Sequence, residues 1–89
     1  MTRPINKIAA EIKSLWHPRL ATGVVPGYMR FSRPYLEAML SIQTINDSYG
    51  LDPADGVVLY FLSNVQGWTG ADARRIKLEL NEHLKEISG

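Results

Sequence analysis

A small, mainly helical domain is the fold class this sequence predicts. The expected form has four helices, with a long ordered loop or a short β-hairpin between the first two. Two observations carry the expectation. Helix-start chemistry occurs four times along the chain, and after three of those starts apolar residues recur at the three- and four-residue spacing of a helix with one buried side. The 89 residues and the 45% hydrophobic content suit one domain over residues 1–89.

The first helix is expected from TRPINKIAAEI. Thr2 can accept from free backbone N–H groups, and Pro4 sits in the first turn, where its missing donor costs nothing. Ile5, Ile8, Ala9, Ile12, Leu15 and Trp16 form the apolar stripe. His17-Pro18 is read as its end, because the residue before a proline resists the α conformation.

Residues 17–33 have no helical spacing at first reading. Pro26 and Gly27 suit the central positions of a type II turn, which Val24-Val25 and Tyr28-Met29 could flank as a hairpin. A connection this long in a small domain is uncommon and is usually functional, disordered or carrying structure of its own, and the apolar content argues against disorder. The segment is expected either to lie over the helices as a lid or to present Tyr28, Met29 and Phe31 to a partner.

A second start is read at Ser32-Arg33-Pro34, with Tyr35, Leu36, Met39, Leu40, Ile42 and Ile45 as the apolar side and Gly50 as a left-handed stop. A third is read at LDPADG, with Asp52 as cap and Pro53 at the first position. The following VVLYFLSNV has the composition of a strand, but the cap favours a helix that ends before Gly67. Apolar on nearly all sides, it is expected at the centre of the fold. The fourth start is TGADARRIKLEL, with Thr69 capping and Asp72 in the capping-box position. Ala73, Ile76, Leu80, Leu84 and Ile87 form its stripe, and Leu78 falls outside it. The expected core is Ile8, Ile12, Leu15, Leu36, Met39, Leu40, Val58, Phe61, Leu62, Ile76, Leu80 and Leu84.

Without cysteine there is no disulfide, thiol nucleophile or thiolate metal site. The longest apolar run, Val57 to Leu62, is far short of the roughly 20 residues of a membrane span. No basic start with an unbroken apolar block suggests a signal peptide, so a cytoplasmic setting is the default.

Net charge is +1, unevenly spread. Residues 1–33 carry a balance of +5, residues 34–73 one of −5, and residues 74–89 one of +1. Such a chain either interleaves its charges in space or presents a dipolar surface to a partner.

Neither His17 nor His83 is tied by spacing to a serine and a carboxylate, so an enzyme is not expected, nor is a cofactor. Asp47, Asp52 and Asp55 lack the alternating ligands and final glutamate of a calcium loop, and no glycine-rich phosphate loop is present. The start of the last helix offers Arg74, Arg75 and Lys77, which could meet nucleic acid as a recognition helix does. Against this stand the near-neutral total and Glu79, four residues from Arg75, which can pair with it.

PYLEAM at 34–39, IND at 45–47 before Tyr49-Gly50, VLYFLSN at 58–64, WTG at 68–70 and ARRIKLEL at 73–80 together resemble small proteins encoded in bacteriophage and prophage regions. The likeness spans roughly residues 34–80 and the opening helix. It implies a phage-linked origin and no catalytic or binding residues. The expected function is that of a non-enzymatic interaction or accessory protein, contacting a protein partner or itself. The alternative is weak nucleic-acid binding through Arg74, Arg75 and Lys77.

Overall fold

Residues 3–88, and the side chains of residues 3–86, are described by the structure, a computed structural model. Mainly α is the observed class. The order is α1 (Ile5–Thr22), α2 (Gly27–Met39), β1 (Ser48–Tyr49), β2 (Asp52–Pro53), α3 (Ala54–Asn64) and α4 (Ala71–Ser88). The small antiparallel hairpin of β1 and β2 lies between α2 and α3, not between the first two helices.

Three prolines open three helices, each as the N-cap residue itself. Pro4, Pro26 and Pro53 have φ of −56°, −59° and −63° with extended ψ. The ring holds φ where the chain turns into a helix, and no side chain caps any of the three. Asp52 therefore does not cap α3, and the cap expected of Thr2 lies outside the described residues. Gly70, not Thr69, stands at the start of α4, its carbonyl accepting from the Arg74 N–H at 3.0 Å.

Two other prolines lie inside helices. α1 continues through Pro18 to Thr22 and stops at Gly23, whose φ of +79° is the left-handed stop of a helix end. The expected end at His17 is overturned because Leu20, one turn beyond Trp16, packs against the core. α2 likewise begins before Pro34, at Gly27. Gly27 lacks the positive φ that a type II turn needs, so there is no turn and no hairpin at Pro26-Gly27. The expected long loop shrinks to residues 23–26. The driving term is visible in the stripe: Met29, Ser32, Leu36 and Met39 are all buried at helical spacing. The Ser32 hydroxyl donates to the Tyr28 carbonyl, which satisfies the one polar member.

α2 ends at Met39, ten residues earlier than Tyr49. Ile42 and Ile45 are buried from the connecting segment instead. Asp47 organises that segment. Its carboxylate accepts from the N–H groups of Gln43 and Thr44 at 3.0 and 3.2 Å, which holds it below the usual carboxylate range. Its own carbonyl accepts from the Ala54 N–H at 2.9 Å and so places the first residue of α3. Gly50 then serves a turn, not a helix end. With Ser48 opposite Pro53 and Tyr49 opposite Asp52, the turn has two central residues, and Gly50 takes the first at φ +62°, as a type II′ turn requires.

The core closes around aromatic rings. Trp16 stacks on Phe61 at 6.1 Å and meets Trp68 and Tyr28 edge-on at 5.2 and 5.8 Å. Of the expected core, Ile8, Ile12, Leu36, Met39, Val58, Phe61, Ile76 and Leu80 are buried. Leu40, Leu62 and Leu84 are half-buried against it, and Leu15 is on the surface. Leu15 loses its place because Ile8, Ile12 and Trp16 already fill the inward side of α1. On α4 the stripe runs Ala73, Ile76, Leu80 and then His83, whose Nε2–H donates to the Arg3 carbonyl at 2.7 Å. The side chain of Ile87 lies outside the described residues. Among the described residues no helix is long and apolar enough to cross a membrane.

Candidate interaction face

α2 and α3 pack more extensively than any other pair of elements, and the hairpin bridges them at one end. α3 is not buried on all sides. Ala54, Val57, Val58 and Phe61 turn inward, while Leu59 and Tyr60 face water. The expectation of an all-round buried helix fails because α3 lies at the surface, with α2 and α4 covering only one side. Tyr60 instead stacks on Tyr35 of α2, ring centroids 5.5 Å apart and planes 25° apart.

Beside this stacked pair the surface sinks into a groove of about 620 Å³. Its walls include Pro34 and Tyr35 from α2, Tyr49, Asp52 and Pro53 from the hairpin, and Tyr60 from α3. Three of the protein's four tyrosines thus line one groove. Tyr60 is 60% exposed, and at the hairpin apex Leu51 is 100% exposed. Asp52 is the one charged residue of the lining, and neither it nor nearby Asp55 has an ion pair among the described residues. The arrangement offers aromatic faces, phenol hydroxyls and a carboxylate. It can hold an apolar group and a cation beside it.

Of the three residues expected to meet a partner, only Phe31 is well exposed, at 64%; it lies one helical turn before Tyr35, on the same side of α2. Tyr28 is half-buried against Trp16, and Met29, at 4%, belongs to the core. A helix through residues 27–39 turns Met29 inward, where a hairpin would have turned it out. Tyr35, Tyr49, Leu51 and Tyr60 were not foreseen as a site. One signal was readable for Tyr60: at 3.6 residues per turn, Val58 lies nearly opposite it on α3. The meeting of Tyr35 with Tyr60 was not readable, since it depends on how two helices pack.

The basic start of α4 is largely occupied within the chain. The Arg3 guanidinium grips Glu79 through Nε and Nη2 at 2.9 and 2.7 Å and reaches Glu11 at 2.6 Å. Arg75 grips the same Glu11 at 2.7 and 3.2 Å and lies 3.6 Å from Glu79 and 3.2 Å from Asp72. A closed ring of two arginines and two glutamates therefore ties α1 to α4. Lys77 donates to the Trp68 carbonyl at 2.6 Å. Of the three basic residues, only Arg74 has neither an ion pair nor a hydrogen bond from its side chain among the described residues. His83 is buried against the Arg3 carbonyl, just before the start of α1, whereas His17 is exposed near that helix's other end, so the structure does not bring them to one site.

The ring makes a pH prediction. Hydrogen bonds from Arg75 first, then Arg3, hold the Glu11 carboxyl down to about 2, and Arg3 lowers that of Glu79. An unfolded glutamate titrates near about 4.3. The folded pKa is depressed, so this contribution is fully present above that value and is lost as pH falls toward about 2. Glu11→Gln is expected to lower stability at pH 7 and to flatten the decline between pH 4.5 and 2, with Asp47 and Glu79 supplying the remaining slope. Urea midpoints across that range check it; parallel curves for the two proteins would mean Glu11 is not held by the ring.

Compared with protein-family models, with curated proteins and with solved structures, the chain matches none.

Proposed function

We propose that this chain is a non-enzymatic interaction protein and that the tyrosine-lined groove between α2, α3 and the hairpin is its partner-binding face. One observation carries the proposal: three of the four tyrosines line one groove, with exposed Leu51 at the hairpin apex beside it and exposed Phe31 one turn before Tyr35. Aromatic residues are enriched where proteins meet, and a contiguous exposed apolar patch marks such a surface. The partner this face suits is a protein presenting an apolar side chain beside a basic one. An accessory role of this kind fits a phage- or prophage-encoded protein, as the sequence resemblance suggests.

A photo-crosslinking residue placed at exposed Leu59, next in sequence to Tyr60 of the groove wall, tests the reading against one placed at His17 on α1. Irradiation in producing cells should trap a protein from position 59 and little from position 17. Equal or absent trapping at both positions would remove the groove as the binding face.

A further inference from the structure

We infer that the partner seated on this face is a second copy of the chain, in a two-fold homodimer in which each hairpin apex lies on the other copy's α2. The inference rests on the proposal that the groove binds protein, and it names the occupant.

The first argument is the apex itself. Leu51 is fully exposed at the second central position of the turn, where the turn needs no apolar residue. Burial of such a side chain stabilises by about 1.5–3 kcal/mol, and within one copy nothing buries it. Asp52, the residue after it, and Tyr49, two before it, line the groove. An exposed apolar knob therefore projects from one end of the tyrosine-lined face, and a two-fold axis through the middle of that face carries it onto the other end of a second copy.

The second argument is charge. The face has two ends of opposite sign. α2 runs toward the hairpin and α3 runs back, since Tyr28 near the start of α2 lies against Gly67 beyond the end of α3, where a Cβ would stand 3.6 Å from its ring. The hairpin end carries Asp52 and Asp55. The opposite end carries Arg30, one turn before Pro34, and Phe31. None of Arg30, Asp52 and Asp55 has an ion pair among the described residues. The stacked Tyr35 and Tyr60 lie between the two ends. A two-fold axis near this pair reverses one copy over the other, so the acidic end of each meets the basic end of its partner, twice over. It also sets Leu51 of each on the exposed Phe31 side of the other. Elsewhere, on α1 and α4, the ring of Arg3, Glu11, Arg75 and Glu79 already satisfies its charges within one chain. Inside the fold, Lys13–Glu37 at 3.6 Å is the one ion pair among the described residues that joins the basic first third to the acidic middle, so the face gives those charges a further outlet.

Sedimentation velocity and native mass measurement on the full chain test the inference. The expected species has twice the 10.0 kDa of one chain. Leu51→Asp should raise the dimer Kd on the order of a hundredfold or more, because the residue enters the interface twice. Its circular dichroism as a monomer should be unchanged, since Leu51 makes no core contact. Arg30→Asp and Asp52→Arg should each weaken the dimer, and the two together in one chain should restore it. A monomer at every concentration up to about 1 mM would overturn the inference. So would a dimer that Leu51→Asp and Arg30→Asp leave intact, since it would use another face. If the chain is monomeric but the crosslinker at position 59 traps a different protein, the inference fails while the binding-face proposal stands. Silence at position 59 removes both.

Discussion

Phe61→Ala is expected to cost the protein a large share of its stability. Phe61 has no exposed surface and stacks on Trp16 at the meeting point of α1, α2 and α3. Truncating a buried phenylalanine costs about 3–5 kcal/mol, the lost transfer term plus the cavity left behind. At roughly 0.05–0.15 kcal/mol per residue, a domain of 89 residues holds about 4–13 kcal/mol in total. The vacated space collapses only in part, because the large rigid ring of Trp16 lies against it. Urea unfolding followed by circular dichroism measures the loss. A cost below about 1 kcal/mol would place Phe61 away from the centre of the fold.

The second large effect has the opposite sign. Pro18→Ala is expected to stabilise the protein by about 2 kcal/mol. Proline inside a helix is about 3 kcal/mol less favourable than alanine, because it cannot donate to the carbonyl four residues back, here that of Ser14, and its ring crowds that carbonyl. Against this, alanine loosens the unfolded chain, which takes back about 0.4–1 kcal/mol. Pro18 is exposed, so no packing is lost with its ring. For a domain of this size the gain corresponds to a rise in Tm of roughly 8–16 °C. An unchanged or lower Tm would mean that α1 stops at His17 and that Leu20 does not dock. Thermal unfolding of the two proteins decides between these outcomes.

The same proline explains much of what the sequence left hidden. Pro18 and Pro34 are local signals against a helix, and a reading of residues along the chain has to respect them. What they oppose is not local. Continuing α1 past Pro18 brings Leu20 under α2, and starting α2 at Gly27 buries Met29 against the aromatic centre. Burying a methionine stabilises by about 1.5–3 kcal/mol. Together with Tyr28 on Trp16, that outweighs one missing hydrogen bond. The clue was present as the spacing Met29, Ser32, Leu36, Met39, masked by a serine that is buried only because its hydroxyl finds the Tyr28 carbonyl. Gly50 shows the converse. Its need for positive φ was legible, but helix end and hairpin turn share that need, and the choice depended on Asp47 gathering the backbone of residues 43 and 44.

The candidate site divides along the same line. Phe31 was legible as exposed and aromatic. Tyr60 was half-legible, since the period of α3 sets it nearly opposite Val58. The groove was not legible, because it is made where α2, α3 and the hairpin converge. The expectation for Arg75 was sound in kind, as its partner Glu79 does lie four residues on, but Glu11 and Arg3 complete the ring from another helix.

By itself, then, the sequence determined four helical segments and most of the inward stripes of α1 and α4, because a 3.6-residue period and the fixed φ of a proline at a helix start act within a few turns. Residues 57–64 are helical as expected, although the Asp52 cap that favoured it does not form. Only the tertiary structure decided that two prolines stay inside helices, that the hairpin follows α2, and that α3 keeps Leu59 and Tyr60 in water. Those outcomes turn on which surfaces meet. The energy of burial between distant segments exceeds the local preferences that a single stretch of chain can express.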